Sequence, residues 1–372
     1  MSLRVLQIVT TMEMGGIENY LMSLYRHIDK EKIQFDFLKH RSERHYYDDE
    51  IRSLGGNIYC APPIDPRTAK KYNEWLTSFF KAHNYKIVHS HLNSESAYPL
   101  RIAAKCGVPV RIAHAHSTKV TLDYKMPFRL YDKYVLENYY TNALACTNEA
   151  GKFLFKKNFT VVPNAINSEL FKYNKNAVDA LISEFELNDK FVVGMVANYK
   201  PVKNFEFALE VFKRVVDKKS NAVFLLVGNG IKENLAEMIE NMGISNKVIF
   251  AGGRSDIETI LHCMDVFILP SKYEGFSISV LEAETVGLPV IASTGIPQTV
   301  KLHNAMNTEF LPTKNPNLWA NKILSLCGIK KMNMVDYIKT TSYDVGKSSV
   351  EITDFYENMV RRYEKNENSG GI

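Results

Sequence analysis

Residues 266–288 read VFILPSKYEGFSISVLEAETVGL, and two kinds of hydrophobic spacing meet in them. Val266–Leu269 is a continuous apolar run of strand length, whereas the apolar residues that follow Ser277 recur at the spacing of one helix face. The intervening residues are polar and turn-forming, with Gly275 among them. The segment therefore predicts a strand, a loop and a helix, with the helix N-terminus near Phe276–Ser279 and Ser277 as its N-cap.

The N-terminus of this predicted helix is suited to an anion, because its first N–H groups lack intrahelical acceptors and lie at the positive end of the helix dipole. Two carboxylates flank it, Glu274 in the loop and Glu282 on the helix, with seven residues between them. Two solvated acids are the simpler interpretation of such a pair. The functional interpretation is that both carboxylates contact a ligand whose anionic group binds the helix end.

The length and composition of the chain limit the number of domains and the type of protein it can be. A chain of 372 residues exceeds one ordinary hydrophobic core and suits two domains, and 45% hydrophobic with 23% charged residues is typical of a soluble globular protein. The formal net charge of +5 permits attraction to anionic substrates or lipid surfaces but does not indicate nucleic-acid binding. The five cysteines form no CxxC pair, so we expect no zinc site and no disulfide framework, as in a reduced cytoplasm.

A strand–loop–helix pattern begins the chain and begins again in its second half. Val5–Val9 leads through Gly15 and Gly16 into an amphipathic helix, and the pattern restarts at Asp189–Val196. Repeated βα units predict two Rossmann-like domains, with the crossing near the Pro-broken Val161–Asn167. The first loop is not GxGxxG and lacks the acidic residue that holds a ribose, which disfavours an NAD-dependent oxidoreductase.

Four histidines lie at the ends of two predicted strands, His89 with His91 and His114 with His116. Ligands gather at the carboxyl ends of parallel strands, so these side chains are candidates for a site. A metal centre is one interpretation, and polar strand ends are the other. No HExxH motif, paired carboxylate or cysteine partner accompanies them, so we expect no metal.

The segment Met126–Tyr140 combines aromatic and basic residues at helical spacing. Its ordinary interpretation is a packed amphipathic helix, and the alternative is a surface that leans on a membrane carrying a lipid-linked acceptor. No apolar run approaches the roughly 20 residues that span a bilayer. The N-terminus enters directly on a strand pattern, so we expect a cytoplasmic protein, with association at the cytoplasmic face of the membrane as an option.

The string at residues 270–288 resembles the signature of the retaining glycosyltransferases of family 4, which have the GT-B fold. The resemblance extends over essentially the whole chain and is strongest at residues 266–293. It implies an α/β protein of two Rossmann-like, doubly wound domains facing a central cleft. Residues 1–165 would form the acceptor-binding domain and residues 166–348 the donor-binding domain. A C-terminal helix at about 349–366 would pack back on the first domain.

The resemblance also implies roles for individual residues. His116, Glu274 and Lys203 would be catalytic: the histidine lies near the reacting centre, with His114 as its rival, the glutamate faces the donor sugar, and the lysine serves the diphosphate. Glu282 would hold the ribose hydroxyls. The residues expected to bind the donor are Gly15, Gly16, Asn198, Lys200, Lys203, Gly228, Asn229, Gly253, Arg254, Glu274, Gly275, Phe276, Ser277, Ile278, Ser279 and Glu282, and those on the acceptor side are His91, His114 and His116.

One position departs from the family pattern. Members commonly carry an arginine near the position of Asn198, and an asparagine donates a hydrogen bond but does not neutralise a phosphate. Lys200 is near enough in sequence to replace the missing charge. The backbone at Gly253 and Arg254 matches the segment that reads the base in the family, which favours uridine.

The implied reaction is the retaining transfer of a hexose or N-acetylhexosamine from a UDP-sugar to a glycan or undecaprenyl-linked acceptor. Within the family the chain is similar to bacterial enzymes that build capsular or exopolysaccharide repeats. No Asp-x-Asp triplet occurs, and the helix end with Lys203 supplies the positive field, so we expect no metal and no cofactor besides the nucleotide sugar. Peripheral contact with the inner membrane is an option. The alternatives are a UDP-sugar epimerase of GT-B fold and a catalytically retired nucleotide-sugar binding protein.

Overall fold

A computed structural model describes residues 2–120, 123–302 and 307–369. The chain divides into two compact units, one formed by residues 1–166 with 342–372 and the other by residues 167–341. Each unit contains a parallel sheet with helices, as the alternating pattern predicted. No helix in the described part of the chain has both the length and the apolar character that a membrane crossing requires.

The first unit is built on a seven-stranded sheet whose described strands are all parallel, in the order β3-β2-β1-β4-β5-β6-β7. Its strands are β1 (Leu3–Ile8), β2 (Ile33–Lys39), β3 (Ile58–Cys60), β4 (Ile87–Ser90), β5 (Val110–Ala115), β6 (Asn142–Ala145) and β7 (Thr160–Val161). Its helices are α1 (Gly16–His27), α2 (Asp48–Ser53), α3 (Ala69–Ala82), α4 (Ala97–Lys105), α5 (Met126–Leu136), α6 (Asn148–Leu154) and the C-terminal helix (Val345–Ser369).

The second unit repeats the plan with six parallel strands in the order β10-β9-β8-β11-β12-β13. Its strands are β8 (Phe191–Val196), β9 (Ala222–Val227), β10 (Val248–Gly252), β11 (Val266–Leu269), β12 (Val290–Ser293) and β13 (Thr308–Leu311). Its helices are α7 (Lys175–Glu184), α8 (Phe205–Lys218), α9 (Ile231–Asn241), α10 (Ile257–His262), α11 (Ile278–Thr285), α12 (Pro316–Ser325) and α13 (Val335–Lys339).

The strand order reverses once in each sheet, between β1 and β4 in the first and between β8 and β11 in the second. At such a switch point the loops leaving the two central strands diverge to opposite faces and open a crevice at the carboxyl edge. The loops that leave β8 and β11 carry Lys203 and Glu274. The topology therefore places these two predicted residues at the ligand-binding edge of the second sheet.

The hydrophobic pattern accounts for the packing of the elements. Strands β9 and β11 are buried along their whole length, as expected for central parallel strands covered on both faces. Helix α1 buries Tyr20, Leu21 and Leu24, the stripe that its helical spacing predicts. The C-terminal helix buries Ile352 and Tyr356 in the first unit.

Some local expectations differ from the structure. The sequence predicts one helix over residues 93–106, but Asn93–Ser96 is a 3-10 turn and α4 begins at Ala97. Asn93 adopts the left-handed conformation with φ 52°, which a helix cannot contain. The polar and Gly-rich sequence from Asn366 onward predicts a frayed tail, but the C-terminal helix continues through Ser369.

Candidate functional site

The loop after β11 delivers Glu274 and ends at the N-terminus of α11. The helix begins at Ile278 with Ser277 in the N-cap position, which confirms the start predicted from the sequence. The Ser277 side chain makes no capping hydrogen bond to the helix backbone and lies 3.4 Å from the Ser279 hydroxyl. The first-turn N–H groups therefore have no acceptor from their own cap residue, and this helix end is suited to an anionic ligand.

Lys203 and Glu274 form an ion pair, with Nζ 2.6 Å from Oε1. The two loops that carry them are tied together, because Lys272 N donates to the Val202 carbonyl at 2.8 Å and Asn204 Nδ2 donates to the Pro270 carbonyl at 3.2 Å. Both charged side chains are mostly buried, so water screens the pair only in part. The structure thus brings two of the predicted catalytic residues into direct contact.

Asn204 bends the chain just after the lysine. It has φ 59° and ψ 48°, a left-handed conformation between the 3-10 turn Pro201–Lys203 and helix α8. Asparagine tolerates this conformation better than most residues because its short side chain bonds locally, and here that side chain reaches the carbonyl before the loop of Glu274. The bend ends the turn at Lys203 and leaves its ammonium group at the carboxyl edge of the sheet.

Glu282 lies on α11 and is only partly exposed. Burial, and to a smaller extent the nearby charge of Glu258, raise the pKa of its carboxyl group to about 8. With this pKa the carboxyl group is largely protonated at neutral pH. A protonated carboxyl both donates and accepts a hydrogen bond, which suits contact with neighbouring hydroxyl groups.

The ends of β8, β9 and β10 bring three predicted donor residues together. Asn229 N donates to Oδ1 of Asn198 at 2.9 Å, and a Cβ added to Gly253 would lie 2.2 Å from the Asn229 side chain. Gly228 has φ 145°, and a Cβ there would lie 2.1 Å from the carbonyl oxygen of Ala197. Only glycine fits this position. Asn198 therefore connects two loops of the edge, a role that arginine in its place would not perform in the same way.

The Arg254 side chain forms ion pairs with two carboxylates of its own unit. Its guanidinium bonds both carboxylate oxygens of Asp256 at 2.7 Å and Oε1 of Glu184 at 2.7 Å, contacts that raise the Arg254 pKa above its usual range. The predicted contribution of this segment to base recognition thus falls to the backbone. Lys200 is exposed, and its carbonyl accepts a hydrogen bond from Lys203 N at 2.9 Å.

The two adjacent glycines of the first unit begin α1. Gly15 is the extended N-cap and Gly16 the first helical residue. A Cβ on Gly15 would lie 2.4 Å from Oε2 of Glu18, so this carboxylate packs directly against the Gly15 backbone. Thr11 donates to the other carboxylate oxygen at 3.4 Å. Sequence reasoning missed Glu18, although an acid three residues after an N-cap is a known signal of a helix start.

The four histidines assemble into one cluster at the carboxyl edge of the first sheet. His89 Nε2 lies 3.1 Å from His114 Nδ1, and His91 Nδ1 lies 2.9 Å from His116 Nε2. Along each strand the rings lie against each other, with centroids 4.2 Å apart for His89 and His91 and 4.1 Å for His114 and His116. Burial lowers the pKa of all four imidazoles, so they are neutral at physiological pH.

Two further residues complete the cluster. The Tyr356 hydroxyl lies 2.7 Å from His89 Nδ1, and Gln7 Oε1 lies 2.9 Å from His91 Nε2. Gln7 Nε2 lies 3.3 Å from the same hydroxyl. Neither residue was predicted. The signal for Gln7 was its polarity inside the apolar run of β1, and no sequence signal links Tyr356 to residues more than 250 positions away.

The cluster has the geometry of a metal group in one respect. Nitrogen atoms of His89, His91 and His114 lie within 4.8 Å of one another. Both ring nitrogens of His89 and of His91 are already hydrogen-bonded, so a metal ion would have to displace those bonds, whereas Nε2 of His114 is buried without a hydrogen-bond partner among the described residues. That the protein works without a metal stays a prediction.

His114 and His116 differ in exposure, which bears on their rivalry for the reacting centre. His114 lies inside β5 and is fully buried, whereas His116 follows the strand and keeps some exposed surface. The His116 backbone is held by Oδ1 of Asn93, which accepts its N–H at 2.8 Å. His116 is therefore the less buried residue of the two.

Helix α5 turns its aromatic side chains outward. Tyr131 and Tyr134 are 65% and 66% exposed, whereas the buried residues of the helix are Asp132 and Leu136. The helix thus packs through Asp132 and Leu136, and Tyr131 and Tyr134 lie outside its packed face. Lys156 Nζ lies 4.3 Å from the ring centroid of Tyr134, a cation–π contact. We call the exposed side chains Tyr124, Phe128, Leu130, Tyr131 and Tyr134 the α5 surface.

Comparisons with known proteins agree with this architecture. The family described as Glycosyltransferase Family 4 matches residues 14–170, and the family described as Glycosyl transferases group 1 matches residues 179–339. The crystal structure of Anabaena Alr3699/HepE in complex with UDP and glucose has a similar fold, with a TM-score of 0.80 at 15% identity over 96% of this chain and 100% of that one.

Two curated relatives align over most of their length. EpsF of Bacillus subtilis (strain 168), which carries the name of a glycosyltransferase, is 30% identical over 356 residues, or 92% of each chain. UDP-Gal:alpha-D-GlcNAc-diphosphoundecaprenol alpha-1,3-galactosyltransferase of Escherichia coli is 26% identical over 337 residues, which cover 85% of this chain and 86% of that protein. Its two parallel-sheet units, the two family matches and the EpsF alignment together show that the chain is a glycosyltransferase of GT-B fold and belongs to glycosyltransferase family 4.

Proposed function

We propose that this glycosyltransferase transfers a hexose or N-acetylhexosamine from a UDP-sugar, with retention of anomeric configuration, to a lipid-linked glycan in surface polysaccharide synthesis. The observation that carries the donor half is the contact of Lys203 with Glu274 beside the N-terminus of α11. The Escherichia coli relative is named for a UDP-galactose donor and a diphosphoundecaprenol acceptor, and that name supports the choice of both classes of substrate.

The second unit would hold the donor in three parts. The diphosphate would bind the first-turn N–H groups of α11 and the ammonium group of Lys203, which together provide the positive field that a leaving diphosphate needs. Glu274 would contact hydroxyl groups of the sugar, and Glu282 those of the ribose. Both carboxylates act as binders, so neither forms a covalent intermediate.

Catalysis would follow from positive charge that is already in position at the leaving diphosphate. As the bond between the anomeric carbon and the diphosphate breaks, negative charge grows on the leaving oxygen. The acceptor hydroxyl bonds to the anomeric carbon from the same face and passes its proton to that leaving oxygen. A preorganised donor at the leaving group is typically worth about 3 kcal/mol in the transition state. The helix end and Lys203 are fixed before the substrate arrives, and no metal is required for this step.

The first unit would serve the acceptor. His116 is the predicted residue of its histidine cluster that retains exposed surface beside the carboxyl end of β5. The α5 surface adds aromatic side chains with lysine ammonium groups against nearby rings, as Lys133 on Phe153 at 4.0 Å. Aromatic and basic side chains suit the boundary of a membrane, where a lipid-linked acceptor resides. We therefore extend the proposal to peripheral membrane contact through this surface.

The test is a reconstitution with defined substrates. The purified protein is incubated with UDP-glucose, UDP-galactose, UDP-GlcNAc or UDP-GalNAc and an undecaprenyl diphosphate-linked sugar, with and without EDTA. Mass spectrometry detects the lengthened lipid, and NMR of the product gives its anomeric configuration. We expect one UDP-sugar to be transferred with retention and unaffected by EDTA.

Controls separate the alternatives. Glu274→Ala is expected to abolish transfer, whereas Glu233→Ala, at an exposed carboxylate of α9 in the same unit, keeps it. Isomerisation of a UDP-sugar without any acceptor would instead establish an epimerase. Binding of a UDP-sugar with no turnover of any acceptor would establish a retired binding protein.

A further inference from the structure

A cavity of about 490 Å³ lies between helices α4 and α5 of the first unit. Helix α4 contributes Tyr98 and Arg101, which are three positions apart and so share one face of the helix, and α5 contributes Phe128, Tyr131 and Asp132. Phe128 and Tyr131 are exposed and belong to the α5 surface, so the cavity adjoins that surface. Its volume falls within the range of small-molecule sites, about 300–1,000 Å³.

Asp132 lines this cavity without a partner from the chain. The residue is only 4% exposed, yet its carboxylate makes no hydrogen bond or ion pair to any residue that the structure describes. Of the two carboxylate oxygens only Oδ2 is fully enclosed, so Oδ1 is the atom that a ligand in the cavity can reach. Polar groups buried to this extent are normally hydrogen-bonded, so we expect this carboxylate to bind a group from outside the chain.

The place of Asp132 on its helix is one that an apolar residue would ordinarily take. The buried residues of α5 are Asp132 and Leu136, four positions apart on the face that packs against the unit. Burial, and to a smaller extent the charge of Glu95, raise the pKa of the Asp132 carboxyl group to about 7. The folded state therefore disfavours the charged form of this side chain. Residues that oppose the local packing pattern in this way are expected at functional sites.

Arg101 is a second polar group of the cavity with unused hydrogen-bonding capacity. Its Nη2 donates to Oδ1 of Asn73 at 3.4 Å, and its Nε is buried with no hydrogen-bond partner in the described part of the chain. No ion pair joins Arg101 to Asp132 within the same residues, although the positive charge of Arg101 opposes the rise in the Asp132 pKa. Two opposite charges therefore line one cavity without direct contact.

These groups favour a neutral ligand that carries several hydroxyl groups. Asp132 would repel an anion, Arg101 would repel a cation, and an apolar chain would leave both without a partner. A hydroxyl group suits both, because it donates to a carboxylate and accepts from a guanidinium. The rings of Tyr98, Phe128 and Tyr131 offer apolar surface to the C–H groups of such a ligand. A sugar ring has hydroxyl groups on its edge and C–H groups on its face, and so fits both parts of the cavity.

The turn Asn93–Ser96 connects the cavity with the carboxyl edge of the first sheet. Oδ1 of Asn93 accepts the N–H of His116 at 2.8 Å, and Oε2 of Glu95 lies 3.4 Å from Nε of Arg129 on α5. Helix α4 begins directly after this turn. The same short segment thus contacts the histidine cluster and the helix that forms one wall of the cavity.

We propose that this cavity binds a sugar ring of the acceptor, with Asp132 and Arg101 holding its hydroxyl groups and Tyr131 packing against its face. The inference rests on the proposed function in one point, that the sugar belongs to the acceptor. It deepens that proposal, because it gives the first unit a saccharide site next to the α5 surface, where the lipid end of the acceptor would meet the membrane. These residues bind the acceptor and take no part in breaking the donor bond.

The direct test is saturation-transfer NMR of the purified protein with the methyl glycosides of glucose, galactose, GlcNAc and GalNAc, without donor and without lipid. We expect at least one glycoside to bind to the wild type at millimolar concentration. Asp132→Leu should lose this signal, whereas Asp132→Asn should keep part of it because the amide still forms hydrogen bonds. Glu149→Leu, at an exposed carboxylate of α6 in the same unit, is the control and should bind as the wild type does.

Two tyrosines of α5 provide a matched pair. Tyr131 and Tyr134 are 65% and 66% exposed, but only Tyr131 lines the cavity. Tyr131→Ser is therefore expected to weaken glycoside binding, and Tyr134→Ser to leave it unchanged. Equal effects of the two substitutions would contradict the proposed packing of the sugar on Tyr131.

Thermal unfolding separates a binding role of Asp132 from a structural one. Because its carboxylate has no partner in the described chain, Asp132→Leu is expected to melt at or above the Tm of the wild type while it loses the glycoside. A clearly lower Tm would show that the carboxylate stabilises the fold, and would overturn the binding role if Asp132→Asn also bound the glycoside as the wild type does.

In the active protein, Asp132→Leu should raise KM for the lipid-linked acceptor roughly tenfold or more, with little change in kcat or in KM for the donor, as expected for lost hydrogen bonds to a charged group. The inference is overturned if no glycoside binds to the wild type, if Asp132→Leu binds as well as the wild type, or if undecaprenyl phosphate in micelles contacts Tyr131 and no glycoside does. The glycoside spectra need no turnover. Glycoside binding without transfer would thus refute the proposed function alone, whereas transfer with an unchanged acceptor KM in Asp132→Leu would refute this inference alone.

Discussion

The ammonium group of Lys203 lies 2.6 Å from the carboxylate of Glu274, although the two residues are 71 positions apart in the chain. The contact forms because β8 and β11 are neighbours at the switch point of their sheet, so the loops that follow them meet at one edge. An ion pair here holds both side chains in place before a donor binds. Its disruption gives the first prediction.

Lys203→Ala is expected to lower kcat/KM for the UDP-sugar by roughly 100-fold or more, the usual cost of losing one preorganised donor to a leaving group. Lys203→Arg should retain part of the activity because it keeps the charge. Steady-state kinetics with the lipid-linked acceptor measure both. Lys232→Ala, at an exposed position of α9, is the control and should match the wild type. Equal activity of Lys203→Ala and the control would contradict the role of the lysine.

Glu282 should make the second unit less stable as pH rises. Its pKa of about 8 in the folded protein lies above the ordinary value of 4.5, so the folded state binds the proton more tightly than the unfolded state. Stability is lost as pH increases from about 4.5 to about 8. Glu282→Gln removes this titration, and we expect its Tm, relative to the wild type, to rise steadily over that interval in thermal unfolding scans. A constant Tm difference would show that Glu282 titrates normally.

Gly228→Ala should weaken both folding and UDP binding. The added methyl group would lie 2.1 Å from the Ala197 carbonyl oxygen, and the backbone has φ 145°. Gly243→Ala is a matched control in the same unit, because Gly243 also has a positive φ but no heavy atom lies within 4 Å of its added Cβ. We expect the control to lose only the ~1–2 kcal/mol of an unfavourable backbone conformation and Gly228→Ala clearly more, measured by urea unfolding. Similar losses of unfolding free energy in both variants would show that the added methyl group at Gly228 meets no clash.

The α5 surface predicts binding to lipid. The double variant Tyr131→Ser with Tyr134→Ser should bind vesicles of phosphatidylglycerol and phosphatidylethanolamine less well than the wild type, because it loses two aromatic side chains that are mostly exposed. Tyr173→Ser, at a tyrosine that is 57% exposed in the second unit, is the control. Co-sedimentation at two salt concentrations measures the effect. Equal binding of the double variant and the wild type would exclude this surface as the contact.

Local patterns in the sequence predicted the elements that hold the donor-side residues. The apolar run Val266–Leu269 and the helix start at Ser277 agree with the structure because both depend on neighbouring residues alone. Strand β13 was not predicted, since Thr308–Leu311 is short and lacks a clear alternation. Its place at the sheet edge comes from pairing with β12, a contact that no local signal records.

The partners of the site residues were beyond prediction for the same reason. The Arg254 guanidinium donates a hydrogen bond to Glu184, which is 70 positions away in the chain. The strand end that reads Gly-Gly-Arg contains no signal for this partner. Asn198 was noted as a departure from the family, yet its bond to Asn229 appears only when β8 and β9 lie side by side. The roles proposed for these residues remain predictions.

The position of Tyr356 near the end of the chain has a consequence for folding during synthesis. A ribosome that has made the first 166 residues has delivered the four histidines of the cluster, but the tyrosine whose hydroxyl bonds His89 is still about 190 residues from synthesis. The interior of the first unit is thus finished last, after the second unit has left the exit tunnel. A chain that ends between His116 and Tyr356 carries Gln7 and all four histidines of the cluster but lacks the hydroxyl that bonds His89.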